Sequence, residues 1–231
     1  MRRPSEKTRK VDLHPMGWTL NTLAQRTSLA LIAVAGGWML TGCVKTADFF
    51  DAALMTPVLI EDFEAPVIQN AVAYNAGQSF QTATNTWEVT AGGIEIFNAK
   101  DRPETTAFDG NQAVQLTGAT GAGGLAISFA TIQKKQYTLT FHYAHNNLLG
   151  TNANRARVEV LSASTTLLEA QFSHESVPFD SYRRYSGIFT ADSARTTLRF
   201  TSLTPGRYGI TLDGISVRTV PPPPPTPPRV Q

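Results

Sequence analysis

An alternation of apolar and polar residues in the middle of the chain limits the fold more than any other feature. From Tyr137 to Tyr143, aromatic or aliphatic side chains occupy every second position, with Thr or His between them. Because successive side chains of a β-strand point to opposite faces, this pattern is typical of a strand with one buried face. Leu198 and Phe200 alternate with Thr and Arg in the same way. We therefore expect Leu139, Phe141, Leu198 and Phe200 to lie in a core.

Shorter strand candidates recur along the chain, separated by turn-forming residues such as Gly, Pro, Asn and Asp. They are Thr86–Thr90, Gly93–Phe97, Gln112–Leu116, Leu125–Thr131, Arg155–Leu161, Leu168–Phe172, Tyr185–Thr190 and Gly209–Arg218. Long stretches of helical periodicity and internal repeats are missing from the sequence. The pattern predicts an all-β fold, a single antiparallel β-sandwich or jelly roll over residues 59–220.

The N-terminal region has the features of a secretory signal. Residues 27–42 are apolar or small and uncharged, and they are fewer than the roughly 20 that span a bilayer as a helix. Basic residues precede them: Arg2, Arg3, Lys7, Arg9, Lys10 and Arg26. A basic segment followed by a short apolar stretch predicts a signal over residues 1–42 that is removed.

The apolar stretch ends in Leu40-Thr41-Gly42-Cys43, which resembles the lipobox of bacterial lipoproteins. The resemblance implies transfer of diacylglycerol to the Cys43 thiol and cleavage just before it. Cys43 is the only cysteine of the chain, so it has no partner for an intramolecular disulfide. We expect a membrane-anchored lipoprotein of the bacterial cell envelope, extracytoplasmic, with residues 43–58 as the tether.

Charge and proline content describe the remaining segments. Residues 1–43 hold six Lys or Arg and two Asp or Glu, which leaves 14 and 16 of the chain's 20 and 18 for the rest. The folded part therefore has no excess of basic residues, and we expect no nucleic-acid binding. Residues 221–231 contain a proline run, which favours an extended spacer or a ligand for a proline-binding groove, and is most simply a disordered tail.

Several segments, in this order, resemble the bacterial choice-of-anchor C family and, more distantly, the plant cell-wall domain of unknown function 642. The matching segments are Asp62–Glu64, Thr86–Val89, Gly93–Ile96, Asp109–Leu116, Ile127–Phe129, Tyr137–Phe141 and Phe200–Val217. The resemblance implies a galactose-binding-like β-sandwich, a jelly roll shared by many carbohydrate-binding modules. It also implies an extracytoplasmic location, with an anchor that differs between members.

The sequence holds little that predicts catalysis. His142 and His145 are three residues apart, so on one strand they point to opposite faces and do not share a metal ion. The glycine-rich segment Gly118–Gly124 lacks the Gly-Lys-Ser/Thr ending of a phosphate-binding loop. A Gly-x-Ser-x-Gly elbow is also missing from the sequence. We expect a protein that is not an enzyme.

Aromatic residues are the candidates for ligand binding, because sugar rings stack on aromatic faces. Trp87 alternates with Val89, so we assign it to the core. Tyr182, Arg183 and Tyr208 are the predicted ligand-binding residues, as exposed side chains in or near turns.

Carboxylates near both ends of the sandwich form a candidate site for a structural calcium ion. Glu64 follows the first strand, and Asp213 lies where the apolar rhythm of the last strand slips, which predicts a bulge at Asp213–Gly214. In galactose-binding-like modules the first and last strands often meet, so Glu64 and Asp213, with Asp109, could bind calcium. Ordinary polar or hydrogen-bonded groups are the alternative.

These features predict a lipid-anchored envelope protein that displays a non-catalytic β-sandwich for binding polysaccharide or another envelope component. The alternative is a structural or adhesion domain that binds a protein. Exposed aromatic residues on one face would favour the first, and a broad apolar patch the second.

Overall fold

The computed structural model describes residues 57–102, 105–145, 153–163, 165–175, 182–207 and 209–221. The predicted signal over residues 1–42, Cys43, Tyr208 and the proline-rich tail after Pro221 lie outside these ranges. So does the tether, except for its last two residues, which already belong to the first strand.

The described residues form fifteen strands and one short 3-10 helix. The strands are β1 (Pro57–Glu61), β2 (Ala71–Asn75), β3 (Ser79–Gln81), β4 (Thr86–Ala91), β5 (Gly93–Asn98), β6 (Gln112–Gln115), β7 (Thr117–Gly118), β8 (Gly121–Ala122), β9 (Gly124–Ala130), β10 (Gln136–His145), β11 (Asn154–Leu161), β12 (Thr166–His174), β13 (Arg183–Thr190), β14 (Arg195–Ser202) and β15 (Ile210–Thr219). The helix, Ala99–Asp101, follows β5.

Two antiparallel sheets build a sandwich, as the sequence predicted. The seven-stranded sheet has the order β13-β10-β15-β6-β5-β2, and β1 also pairs with β15. The six-stranded sheet has the order β12-β11-β14-β9-β4-β3. A small ladder joins β7 to β8.

The core lies between the inner faces of the two sheets. Leu139 and Phe141 of β10 and Leu198 and Phe200 of β14 are fully buried, which confirms the alternation. The rings of Phe141 and Phe200 meet edge to face with centroids 5.0 Å apart. Such contacts and the removal of apolar surface from water are what hold the sheets together.

Trp87 is fully buried, as predicted, and its polar end is satisfied by a buried carboxylate. Its indole N–H donates to Oε2 of Glu61 over 2.8 Å, and the Thr82 hydroxyl donates to the same atom over 2.7 Å. Glu61 ends β1, so this cluster ties the first strand to the turn before β4.

Strand β15 changes partner half-way along its length. One edge pairs with β6 at Thr211 and Leu212 and then with β1 from Ile215 onward. Between these segments its register against β10 slips, and Gly214 has a φ of 55°. The predicted bulge at Asp213–Gly214 and the meeting of the first and last strands are thus both confirmed.

Within the described ranges, no helix is long and apolar enough to cross a membrane.

Candidate functional site

The segment 105–111, here called the Phe108 loop, lies against the outer face of the seven-stranded sheet at the bulge of β15. Hydrogen bonds from three distant side chains fix its backbone. The first is the Tyr182 hydroxyl, which donates to the carbonyl oxygen of Thr106 over 2.8 Å.

Asp213 fixes the middle of the loop. Its Oδ2 accepts the backbone N–H of Phe108 at 2.8 Å and of Asp109 at 3.0 Å, and its Oδ1 accepts that of Gly214 at 2.7 Å. The side chain is fully buried. Burial raises the pKa of Asp213 to about 7, the nearby charge of Glu64 adds to the rise, and the three amide donors oppose it.

Glu64 fixes the end of the loop. Its Oε1 accepts the backbone N–H groups of Asn111 and Gln112 at 2.7 and 2.6 Å. Gly110 lies between the loop and this carboxylate with a φ of 63°, and a Cβ there would overlap the Glu64 side chain. A glycine is therefore required for the loop to approach Glu64 closely.

The loop presents the ring of Phe108 to solvent. The ring stacks on the imidazole of His142, with centroids 3.4 Å apart and planes 8° from parallel. Phe108 is 48% exposed and is the one exposed Phe, Tyr or Trp among the described residues. A side chain at Gly214 would approach both rings to about 3.1–3.2 Å, so the bulge glycine lets them sit close to the sheet.

A pocket of about 400 Å³ opens beside Phe108. Its floor is the hydroxyl pair of Thr140 and Ser216, whose oxygens are 2.8 Å apart on neighbouring strands. Charged and apolar side chains surround this floor: Asp62, Asp109, Arg184, Arg218 and Ile60. The volume and the mixture of one aromatic face with hydrogen-bonding groups are typical of a small-ligand site.

His142 contributes its ring face rather than its charge. Burial lowers the pKa of His142, and the positive charge of Arg184 on the neighbouring strand lowers it further. Both effects favour the neutral form of the imidazole that stacks on Phe108.

The structure brings together most of the residues that the sequence singled out. Tyr182, Glu64 and Asp213 all bind the Phe108 loop, and Asp109 belongs to it. The prediction that Tyr182 is exposed was wrong, because the side chain is half-buried under the loop and its hydroxyl is bonded there. Burial raises the pKa of this hydroxyl, with the charge of Asp213 as a second cause.

Arg183 lies outside this cluster. It pairs with Tyr143, and by strand alternation it faces away from Arg184, which lines the pocket. Tyr208 lies outside the described residues.

Sequence reasoning missed Phe108, His142 and Arg184. One signal was present, because His142 and Asp213 lie on strands that the alternation identified. Their pairing depends on the register of β10 against β15, which a single sequence does not give.

The geometry does not fit the calcium site predicted at Glu64, Asp109 and Asp213. Calcium is held by six to eight oxygens, chiefly carboxylates and carbonyls. Both oxygens of Asp213 and Oε1 of Glu64 face N–H donors instead. Across the described ranges, no three His, Cys, Asp or Glu side chains form a group that could hold a metal ion. The hydrogen-bonded alternative describes these carboxylates better, and calcium stays a prediction.

A family model described as "Protein of unknown function (DUF642)" matches residues 60–218. The chain belongs to this family. Membership of DUF642 confirms the resemblance seen in the sequence, whereas the likeness to choice-of-anchor C stays a prediction. No curated protein is similar enough in sequence to this DUF642 chain to count as a match.

Solved structures that resemble this DUF642 protein include several carbohydrate-binding modules. The TmCBM61 structure, in complex with β-1,4-galactotriose, is 14% identical, covering 57% of this chain and 86% of that one with a TM-score of 0.42. The CBM22-1 xylan-binding domain from Paenibacillus barcinonensis Xyn10C is 14% identical, covering 73% and 97% with a TM-score of 0.43. A family 35 carbohydrate-binding module from Clostridium thermocellum is 14% identical, covering 70% and 97% with a TM-score of 0.39.

Proposed function

We propose that this protein is a lipid-anchored component of the bacterial cell envelope whose β-sandwich binds polysaccharide without modifying it. The observation that carries the binding part is the exposed ring of Phe108, stacked parallel to the imidazole of His142 and bordered by a polar pocket. A flat apolar ring beside hydroxyl, carboxylate and guanidinium groups matches a sugar, which has one apolar ring face and hydroxyls around its rim.

The rigidity of the Phe108 loop supports this assignment. Three side chains on other parts of the chain hold its backbone, so the ring is in place before a ligand arrives. A site that is ordered in advance does not lose additional conformational entropy when the ligand binds.

The fixed carboxylates also favour binding over hydrolysis. Asp213 has the raised pKa expected of a proton donor, but it is fully buried and its oxygens are occupied by backbone amides. A general acid has to come within hydrogen-bond reach of the bond that it protonates, and Asp213 does not reach the surface.

The distribution of exposed apolar residues disfavours the alternative, a protein-binding face. The exposed large apolar side chains of the described residues are Ile60, Val67, Phe108, Ile132 and Ile188. Ile60, Phe108 and Ile188 share the outer face of the seven-stranded sheet, but β10 and β15 separate Ile60 from Ile188, so they do not merge into one broad patch.

Affinity electrophoresis of the full chain in mild detergent, through gels that contain xylan, β-1,4-galactan or hydroxyethylcellulose, tests the binding site. We expect at least one polymer to retard the protein. Phe108→Ala should weaken that binding by about tenfold, because stacking on an aromatic ring contributes on the order of 1–2 kcal/mol. Ile188→Ala, which truncates an even more exposed apolar side chain on the same face, should have no effect. Equal retardation of wild type and Phe108→Ala would exclude this site.

The anchor is tested separately at Cys43. The lipobox-like segment supports lipidation, and stable anchoring then requires the acyl chains on this residue. Wild-type cells should incorporate a palmitate analogue into the protein, and Cys43→Ser should abolish labelling while leaving polysaccharide binding unchanged. An unlabelled wild-type protein would exclude the anchor.

A further inference from the structure

A second concavity lies on the other side of the molecule, on the outer face of the six-stranded sheet. Its volume is about 500 Å³, larger than the pocket at Phe108. The outward side chains of β9 are small, namely Ala126, Ser128 and Ala130, whereas the strands on both sides carry longer ones. This row of small side chains between two taller rows forms a furrow along β9.

The walls of the furrow are polar. Strand β4 contributes Thr86 and Glu88 to one wall, and β14 contributes Arg195 and Thr197 to the other. The register places Glu88 opposite Ala126 near one end and Arg195 opposite Ala130 near the other.

The two charged side chains of the furrow are available to a ligand. Neither Glu88 nor Arg195 forms an ion pair with any described residue. The adjacent part of the same face differs, because there Arg199 binds Glu159 through two hydrogen bonds of 3.0 and 2.8 Å. The two charges of that pair neutralise each other, so the part of the face beyond the furrow differs from the furrow in this respect.

A pair of hydroxyls lies where the furrow floor meets the β14 wall. The hydroxyls of Ser128 and Thr197 are 2.8 Å apart and both are oriented to the outer face. The aromatic rings below, Trp87 and Phe129, point into the core and are buried, so they offer no stacking surface.

This chemistry selects an uncharged, hydroxyl-rich ligand. One carboxylate and one guanidinium give the furrow no net charge, so it has no preference for a polyanion or a polycation. Both groups bind pairs of neighbouring hydroxyls, the carboxylate as a double acceptor and the guanidinium as a double donor. A protein segment would need an apolar contact, which the exposed side chains of the furrow do not provide.

We propose that the furrow is a second polysaccharide site, which takes an uncharged glycan chain lying along β9 and bound by hydrogen bonds rather than by stacking. This second site is separate from the Phe108 pocket. The inference rests on the proposed function only in taking polysaccharide as the class of ligand. Because the two sites lie on the outer faces of opposite sheets, one domain holds two glycan chains at once. Such bivalent binding joins chains to each other and strengthens attachment to a polymer by effective concentration.

Isothermal titration of the full chain in mild detergent tests this inference, with hexasaccharides of β-1,4-linked xylose, glucose or galactose as probes. We expect two molecules of at least one probe to bind each wild-type protein. Ser128→Phe fills the furrow with a ring and should prevent the binding of one probe molecule, while Phe108→Ala should weaken the binding of the other by about tenfold. Gln171→Phe, which adds the same ring to the same face on the edge strand β12, should bind like wild type.

The outcomes separate the two sites. If Ser128→Phe binds as many molecules as wild type, the furrow is not a site, whatever Phe108→Ala does. If Phe108→Ala has no effect but Ser128→Phe loses binding, the furrow is a binding site and the Phe108 pocket is not. Wild type that binds none of the probes overturns both.

Two further measurements check that the Ser128→Phe variant is folded and test whether one protein joins two glycan chains. Ser128→Phe should keep the wild-type melting temperature. If it does not, the pair Glu88→Gln and Arg195→Gln, which adds no bulk to the furrow, replaces it and should weaken glycan binding at the furrow at least tenfold. Wild type should raise the viscosity of a solution of the polymer that corresponds to the bound probe, and each single-site variant should not; equal viscosity for all would overturn bridging.

Discussion

The two outer faces of the sandwich each contain a carboxylate that is shielded from solvent, and the two are stabilised in opposite ways. On the seven-stranded sheet, Asp213 is fully buried, accepts three backbone N–H groups and forms no salt bridge with any described residue. On the six-stranded sheet, Glu159 is 6% exposed and is paired with Arg199 and, at 3.3 Å, with Arg157.

The pKa shifts follow from this difference. Burial raises the pKa of Asp213 to about 7 in spite of its amide donors. The hydrogen bonds from Arg199 lower the pKa of Glu159 in spite of its burial, and the charges of both arginines help. At Asp213 the three amide donors offset only part of the effect of burial, whereas at Glu159 the hydrogen bonds and charge of Arg199 outweigh it.

The pH dependence of stability gives the largest expected effect of this comparison. Native Asp213 keeps its proton up to about pH 7, while the unfolded chain releases it near 3.8, so the native state binds more protons between these values. Stability should therefore fall as the pH rises from about 4 to 7, by about 4 kcal/mol at 1.36 kcal/mol per pKa unit.

Urea unfolding at pH 4, 5.5 and 7 measures this slope. Asp213→Asn should lack the contribution, and Glu159→Gln, which changes the other face, should retain it. Identical slopes for wild type and Asp213→Asn would show that the carboxylate is ionised throughout this range.

The alternation of side chains made the sheets predictable, because burial of one face leaves a period of two in the sequence. Nine of the strands therefore lie where short apolar runs placed them, and β15 was predicted together with its bulge. Strands β2, β3, β7 and β8 were missed, and the last two are only two residues long each. Strand β2 has little burial contrast along its length, and β3 is only three residues long.

The site was less predictable, because its residues meet only in three dimensions. Phe108 lies 105 residues before Asp213 in the sequence, yet its backbone N–H binds that carboxylate. A loop leaves no periodic pattern in the sequence. The sequence therefore identified Asp213 and Glu64 as candidate site residues but did not indicate that they bind the backbone of the Phe108 loop.

The second largest loss of stability is expected at the bulge of β15, where Gly214 follows Asp213. Gly214→Ala combines a positive φ with a close approach to His142 and Phe108, so it should cost about 2–3 kcal/mol of stability. Gly77→Ala is the matched control, because Gly77 also has a positive φ but has open space around it; the expected cost is about 1 kcal/mol. Equal losses in thermal unfolding would mean that the Phe108 stack adjusts freely to an extra methyl group.

The smallest effect is expected on the opposite face. Glu159→Gln should cost about 1 kcal/mol at pH 7 and low salt, since Arg199 is partly exposed and its charge is screened. Because the pKa of Glu159 is lowered, its contribution is present above about pH 4.5 and is lost in more acid solution. The difference between wild type and variant should therefore shrink below pH 4, in urea or guanidinium titrations. A loss that grows in acid would contradict the ion-pair assignment.

The pairing of the first strand with the last has a mechanical consequence for the proposed anchor. Force on a glycan held at either face would reach the membrane side through Pro57, the first residue of β1, along the axis of that strand. The hydrogen bonds of an antiparallel pair lie perpendicular to the strands, so such a pull loads the β1–β15 bonds together in shear rather than one after another. The Glu61 cluster at the far end of β1 adds side-chain hydrogen bonds that the same pull must break. A domain attached in this way resists being drawn off its tether when the polymer that it holds is dragged.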